Sequence, residues 1–192
     1  GRLKSKGSFD SEGLRQGEWR YYYENGVQKE ISFYKNDKAT GKTSIWYDNG
    51  ILYRTLTYEA DEKNGEETTW FYNGKLSSII PYKADKKEGV AKYYNVKGYL
   101  RTVASYTNDL QEGEEIVYHE NGAKESVAKY INDLPTAEYN EYFDNGKLKT
   151  NGVFAEGKKT GVWKRYHSNG KQQSLENYIK GELEGEYTSW YS

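Results

Sequence analysis

The chain holds two histidines, His119 and His167, and no cysteine. Each histidine follows a tyrosine and the two lie two repeats apart. At roughly 4.8 Å per strand that separation is about 19 Å, too far for one metal ion to bridge. Asp37, Asp61, Asp85, Asp109 and Asp133 recur at a fixed interval. A calcium site wants about six to eight oxygens, and few other carboxylates stand near each aspartate. Their spacing therefore points to Asx turns. Glu66-Glu67 and Glu114-Glu115 are neighbours in sequence, so on a strand they point to opposite faces and make poor acid–base pairs. No serine or threonine sits in a recognisable nucleophile context, and no glycine-rich phosphate loop is present. No catalytic residue, cofactor or metal site is expected, and the chain does not read as an enzyme.

The elements that would position any binding residue are set by a repeat. Gly17, Gly41, Gly65, Gly89, Gly113, Gly161 and Gly185 lie on a 24-residue grid, with Ala137 at the remaining point. Nine residues on come Gly26, Gly50, Gly74, Gly98, Gly122, Gly146 and Gly170, each after asparagine except where Lys97 stands. A large aromatic follows each grid point by five residues (Tyr22, Trp46, Trp70, Tyr94, Tyr118, Tyr142, Tyr166, Trp190). Another follows by seventeen (Tyr34, Tyr58, Tyr82, Tyr106, Tyr130, Phe154, Tyr178).

Asn-Gly between alternating runs is a hairpin signal, and a type I′ turn is expected there. Each unit thus reads as strand, turn, strand, with a second turn at Asn36-Asp37 and its equivalents. The expected register sets Tyr23 opposite Gln28, Tyr21 opposite Glu30, Trp19 opposite Ser32 and Gly17 opposite Tyr34. On that reading the grid glycine leaves room for the tyrosine ring across from it. On the other face Tyr22 and Ile31 begin a ladder continued by Trp46 with Thr55 and Trp70 with Ile79.

Composition supports a thin, wet fold. Hydrophobic residues are 35%, charged residues 30% and aromatics 16%, including 21 tyrosines. Mean hydropathy is −1.08. Tyrosine buries a ring and keeps a polar tip, so it can build a sheet that is wet on both sides. The net charge of −1 is spread over the chain, which excludes a basic surface for nucleic acid. No apolar run is long enough to form a transmembrane segment. The lack of cysteine fits an exported or cell-surface protein better than a cytoplasmic one.

"GEWRYYYENG", "YNGKLSSIIPYKADKKEG" and "FDNGKLKTNGVFAEGKKTGVWKRY" resemble the bacterial MORN repeat variant, and the likeness runs over essentially all of residues 1–192. Lys97 and Ala137 depart from the pattern. The resemblance implies an all-β fold: an elongated open repeat array of antiparallel β-hairpins with a 24-residue period. It implies a non-catalytic scaffold that meets proteins or lipids, and some bacterial relatives are described as antitoxin-like. The expected organisation is a partial unit at 1–16, seven hairpin units over 17–184 and a partial unit at 185–192.

The row Tyr23, Tyr47, Phe71, His119, Phe143, His167 and Tyr191 varies more than the Tyr22/Trp46 row, and it is the candidate partner-binding surface. The partner is expected to be another protein. The alternative is a cell-surface aromatic-repeat module binding choline, glycan or lipid headgroups. "GRLKSKGSF" aligns with "GKLKTNGVF" at 146–154, and 185–192 reads as a lone first strand. Unpaired edges of that kind are expected to invite end-to-end self-association, or to mark a piece of a longer array.

Overall fold

The structure is a computed structural model that describes all of residues 1–192. It is all-β, an antiparallel hairpin array, and it divides into two compact units, 1–98 and 99–192. The first unit holds β1 (Ser5–Phe9), β2 (Arg15–Tyr22), β3 (Gln28–Lys35), β4 (Lys38–Trp46), β5 (Leu52–Glu59), β6 (Glu62–Lys63), β7 (Gly65–Trp70), β8 (Leu76–Lys83), β9 (Lys86–Lys87) and β10 (Gly89–Tyr94). The second holds β11 (Leu100–Thr107), β12 (Leu110–Tyr118), β13 (Lys124–Ile131), β14 (Leu134–Tyr142), β15 (Leu148–Ala155), β16 (Lys158–Tyr166), β17 (Gln172–Ile179), β18 (Glu182–Leu183) and β19 (Thr188–Ser189). Within each unit the strands pair antiparallel in sequence order, except that the short segments share a partner: β6 and β7 both pair with β5, β9 and β10 with β8, and β18 and β19 with β17.

The expected register holds through most of each hairpin. Gly17 faces Tyr34, Trp19 faces Ser32 and Tyr21 faces Glu30. It then slips by one residue, so Tyr22 rather than Tyr23 faces Gln28. The cause is the turn. Tyr23 N–H donates to Val27 O at 2.9 Å and Gly26 N–H to Tyr23 O at 2.9 Å, which encloses a three-residue loop. Only Gly26 in that loop has a positive φ, of 89°. This is a type I turn closed by a glycine bulge, not the type I′ turn expected from Asn-Gly. The type I′ turns lie at the other end of the strands: Asn36 and Asp37 have φ of 51° and 65°, and the pair recurs as Asn132 and Asp133 at 49° and 65°. Only the pairing beside the loop moves on the second face: Trp46 faces Leu52 and Trp70 faces Leu76, while Thr55 faces Ser44 and Ile79 faces Thr68 as the register expected.

The grid glycines serve backbone shape. A Cβ on Gly17 would meet nothing within 4 Å, so no room is being made for Tyr34. Gly17 and Gly161 have φ of 64°, and Ala137 adopts 59° at the equivalent point. The left-handed residue bulges the strand: Ile31 faces Ser44 but Phe33 faces Thr40, so Gly41–Thr43 all lie across from Ser32. Where the bulge is widest the strand divides, which is why β6 and β7 are separate elements.

The bulge carries the residue two past the grid point over the strand before it, and this is where the core forms. Trp19 and Trp163 are 8% and 2% exposed, and their opposite numbers are Gly7 and Gly152. A Cβ on either glycine would lie 2.2 Å from an indole carbon. Other bulges use smaller partners: Thr43 hydrogen-bonds across to Ser32 at 3.4 Å, and Glu115 faces Ala104. Large meets small, so a single layer closes its own core.

Candidate functional site

The two edges of the array are occupied by bonds between repeats. At the loop edge, Asn25 Oδ1 accepts from Val27 N–H at 3.0 Å, while its Nδ2 donates to Asp48 O of the next loop at 2.8 Å. Asn49, Asn73, Asn121 and Asn145 repeat the second bond onto Tyr72, Val96, Asp144 and Ser168. The asparagine is therefore required for its amide, since its own φ is not positive. At the turn edge, Asp61 N–H donates to Ala39 O at 2.9 Å and Asp61 Oδ1 accepts from Ala39 N–H at 2.6 Å. Asp37, Asp85 and Asp133 grip Arg15, Lys63 and Gln111 in the same two-point way. These aspartates hold a residue 22 positions earlier, so the Asx-turn expectation is corrected to a clamp between repeats.

The expected binding row lies at the loop edge. Tyr23, Tyr47, Phe71, His119, Phe143 and His167 each open a three-residue loop and are half-buried. Tyr23 and Tyr47 donate their hydroxyls to Trp46 O at 2.7 Å and Trp70 O at 2.8 Å. His119 Nε2 lies 2.9 Å from Tyr142 O, and His167 Nε2 lies 3.1 Å from Trp190 O. The polar tips of these four thus serve the next repeat, and their rings are what remains outside. Phe71 and Phe143 have no such tip, and Tyr191 is fully exposed. Tyr47 stands apart, because Tyr53 and Tyr72 flank it at ring separations of 4.9 and 5.0 Å. Tyr72 donates to Asp48 Oδ1 at 3.0 Å, which raises its phenol above the ordinary range.

The face bearing Trp19 carries more chemistry. The tyrosine column seventeen past the grid points lies here, and cations sit on its rings. Arg15 Cζ is 3.8 Å from the Tyr34 centroid, Lys63 Nζ is 4.4 Å from Tyr82, and Lys159 Nζ is 4.7 Å from Tyr178. Each cation occupies the position two before a grid point. Arg15 also pairs with Asp37 at 2.8 Å, which holds that carboxyl below its usual range. Lys63 bonds Glu67 at 3.1 Å, and Arg54 approaches the same oxygen at 3.9 Å. Glu67 is buried between its two cations, whereas Glu66 lies on the other face opposite Pro81. Arg54 Nε is buried with no hydrogen-bond partner.

In the second unit the repeat-equivalent positions pack Tyr139, Phe154 and Tyr178 around Trp163 at ring separations of 5.7, 5.0 and 6.2 Å. Burial pushes the Tyr139 phenol up to about 12. Lys159, on the rings of Trp163 and Tyr178, is lowered by burial and then by Arg165. Glu176 is buried and takes Arg165 at 3.0 Å and the Tyr178 hydroxyl at 2.8 Å.

The cation is missing from this column at Ala39, Gln111 and Pro135. Ala39 stands where Arg15, Lys63 and Lys159 stand in other repeats, and a groove of about 440 Å³ opens there between Tyr34 and Tyr58. Sequence reasoning fixed on the loop-edge row and passed over this one. The available signal was the residue two before each grid point, which runs Arg15, Ala39, Lys63, Lys87, Gln111, Pro135, Lys159.

No grouping of three His, Asp or Glu side chains could hold a metal, and no helix is long and apolar enough to cross a membrane. Residues 15–36, 39–60, 63–84, 111–132 and 159–180 each match the family described as MORN repeat variant. No curated protein matches the chain.

Proposed function

Because the chain belongs to the MORN repeat variant family, a class of interaction repeats, we propose that it is a non-catalytic scaffold presenting its Trp19 face to a protein partner. The observation that supports this reading is a division of labour among repeat positions. Asn25, Asp61 and Tyr23 and their equivalents bind the next or previous repeat and are spent on the framework. The position two before each grid point changes from Arg15 to Ala39 to Lys63 to Gln111 while each keeps its two-point bond to the aspartate of the next repeat. A fixed scaffold with one variable column on a ring-lined face suits recognition, where specificity comes from a few placed groups. A photo-cross-linking residue at Tyr58 should capture a protein in the native cell, and one at Lys42, exposed on the other face, should not. Equal capture at both positions, or none at Tyr58, would remove the assignment of this face.

A second reading rests on the Tyr47, Tyr53 and Tyr72 cluster, two of whose rings are 37% and 55% exposed. Three adjacent tyrosines suit a quaternary ammonium or a sugar face. Choline or a short glycan should then change the fluorescence of nearby Trp46 and Trp70 saturably, and Tyr47→Ala should abolish that change. A flat titration would set this reading aside.

A further inference from the structure

We propose that the groove over Tyr58 receives a single arginine or lysine side chain from the partner protein. This rests on the assignment of the Trp19 face above and adds the chemistry of what binds there.

The repeat supplies its own controls. Arg15 lies on Tyr34 and pairs with Asp37. One repeat later the same place is held by Ala39, with Tyr58 and Asp61 in the roles of Tyr34 and Asp37. Asp61 Oδ1 takes the Ala39 N–H as Asp37 Oδ1 takes the Arg15 N–H. Only Asp37 has a guanidinium from this position as well. Ring, carboxylate and backbone are arranged for a long cation, and the cation is not supplied by the chain.

Charge agrees. The lining of the groove holds Arg15 and Arg54 against Glu30 and Asp61, and with the ion-pair partners Asp37, Lys63 and Glu67 included carboxylates outnumber cations by one. A further positive charge is the one that balances the set. An arginine or lysine side chain brings both a cation for the Tyr58 ring and N–H donors for the Asp61 carboxylate. Choline carries the charge but has no N–H to donate.

The test uses nuclear magnetic resonance on the full chain, following the Ala39 methyl and the Tyr58 ring. Blocked arginine (Nα-acetyl-arginine methylamide) is titrated beside blocked norleucine, blocked aspartate and choline. Arginine should give saturable shifts at both probes, and norleucine should bind about tenfold more weakly or not at all. Ala39→Arg fills the site from within the chain and should abolish the response of the Tyr58 ring, and Ala39→Lys should do the same. Either variant should melt no lower than the parent, which separates filling from unfolding. Shifts that persist in both variants would overturn the proposal, as would no saturable shift in the parent, or tighter binding of aspartate or choline. If Tyr58 still cross-links the partner in Ala39→Arg, the face assignment stands and this inference fails. If Tyr58 never cross-links, the face assignment fails on its own.

Discussion

Gly157 N–H donates to Pro135 O at 3.0 Å, and this contact is the clamp between repeats with half of it removed on both sides. Elsewhere an aspartate also accepts the N–H of the earlier residue, as Asp133 does from Gln111 at 2.6 Å. Proline has no N–H to give, and opposite it stands a glycine with no carboxylate to receive one. The two losses match, so neither leaves a stranded group.

Restoring both halves should therefore stabilise the pair more than restoring either. We expect Pro135→Lys with Gly157→Asp to show a favourable coupling of about 1 kcal/mol in a denaturant double-mutant cycle. A Cβ at Gly157 would lie 3.3 Å from Leu134 Cδ2, but that side chain is exposed and free to turn. Additive effects would show that the clamp is not a coupled unit.

Gly152→Ala should cost roughly 2 kcal/mol, because its new carbon would lie 2.2 Å from the Trp163 indole and the ring must move. The same alanine placed beside Trp163→Ala should cost much less than the sum of the two. Equal penalties with and without the indole would mean that Gly152 is needed for its backbone.

Ala60 holds a φ of 50° in a type I′ turn, a conformation that costs an ordinary L-residue about 1–2 kcal/mol. Asn36 and Asn132 fill the same place elsewhere. Ala60→Asn should raise the stability measured by denaturant unfolding, by about 0.5–1 kcal/mol. A loss of stability would contradict the turn assignment.

Tyr139 gives a pH signature. Its folded value of about 12 lies above the ordinary phenol value near 10, so burial favours the neutral ring. The stabilisation is fully present below pH 10 and is lost as pH rises from there through about 12. Tyrosinate absorbance should show a late-titrating phenol that Tyr139→Phe removes, together with part of the alkaline loss of stability. An unchanged titration curve in Tyr139→Phe would place the buried phenol elsewhere.

The repeat, its strands and most of its register were legible because glycines and aromatics recur at fixed offsets. What the sequence concealed was why each recurring residue is there. Asn-Gly reads as a type I′ turn, yet the asparagine is used for an amide bond to Asp48 in the next loop, a contact no single-hairpin rule contains. Asp61 reads as a local turn former, yet its carboxylate holds Ala39. Both errors come from interactions across repeats. The candidate groove was hidden for the opposite reason: Ala39 matters by what it lacks, and a search for chemistry-bearing side chains passes over alanine.

The most direct measurement is hydroxyl-radical footprinting of the tyrosines of the unsubstituted chain, with and without the free partner that cross-linking at position 58 identifies. The 21 tyrosines are spread over both faces and the loop edge, so the chain carries its own map. Protection should fall on Tyr34, Tyr58 and Tyr82, while Tyr53, Tyr72 and the Tyr22 row keep their reactivity. Protection confined to Tyr22, Trp46 and Trp70, or to the loop-edge tyrosines, would contradict the account.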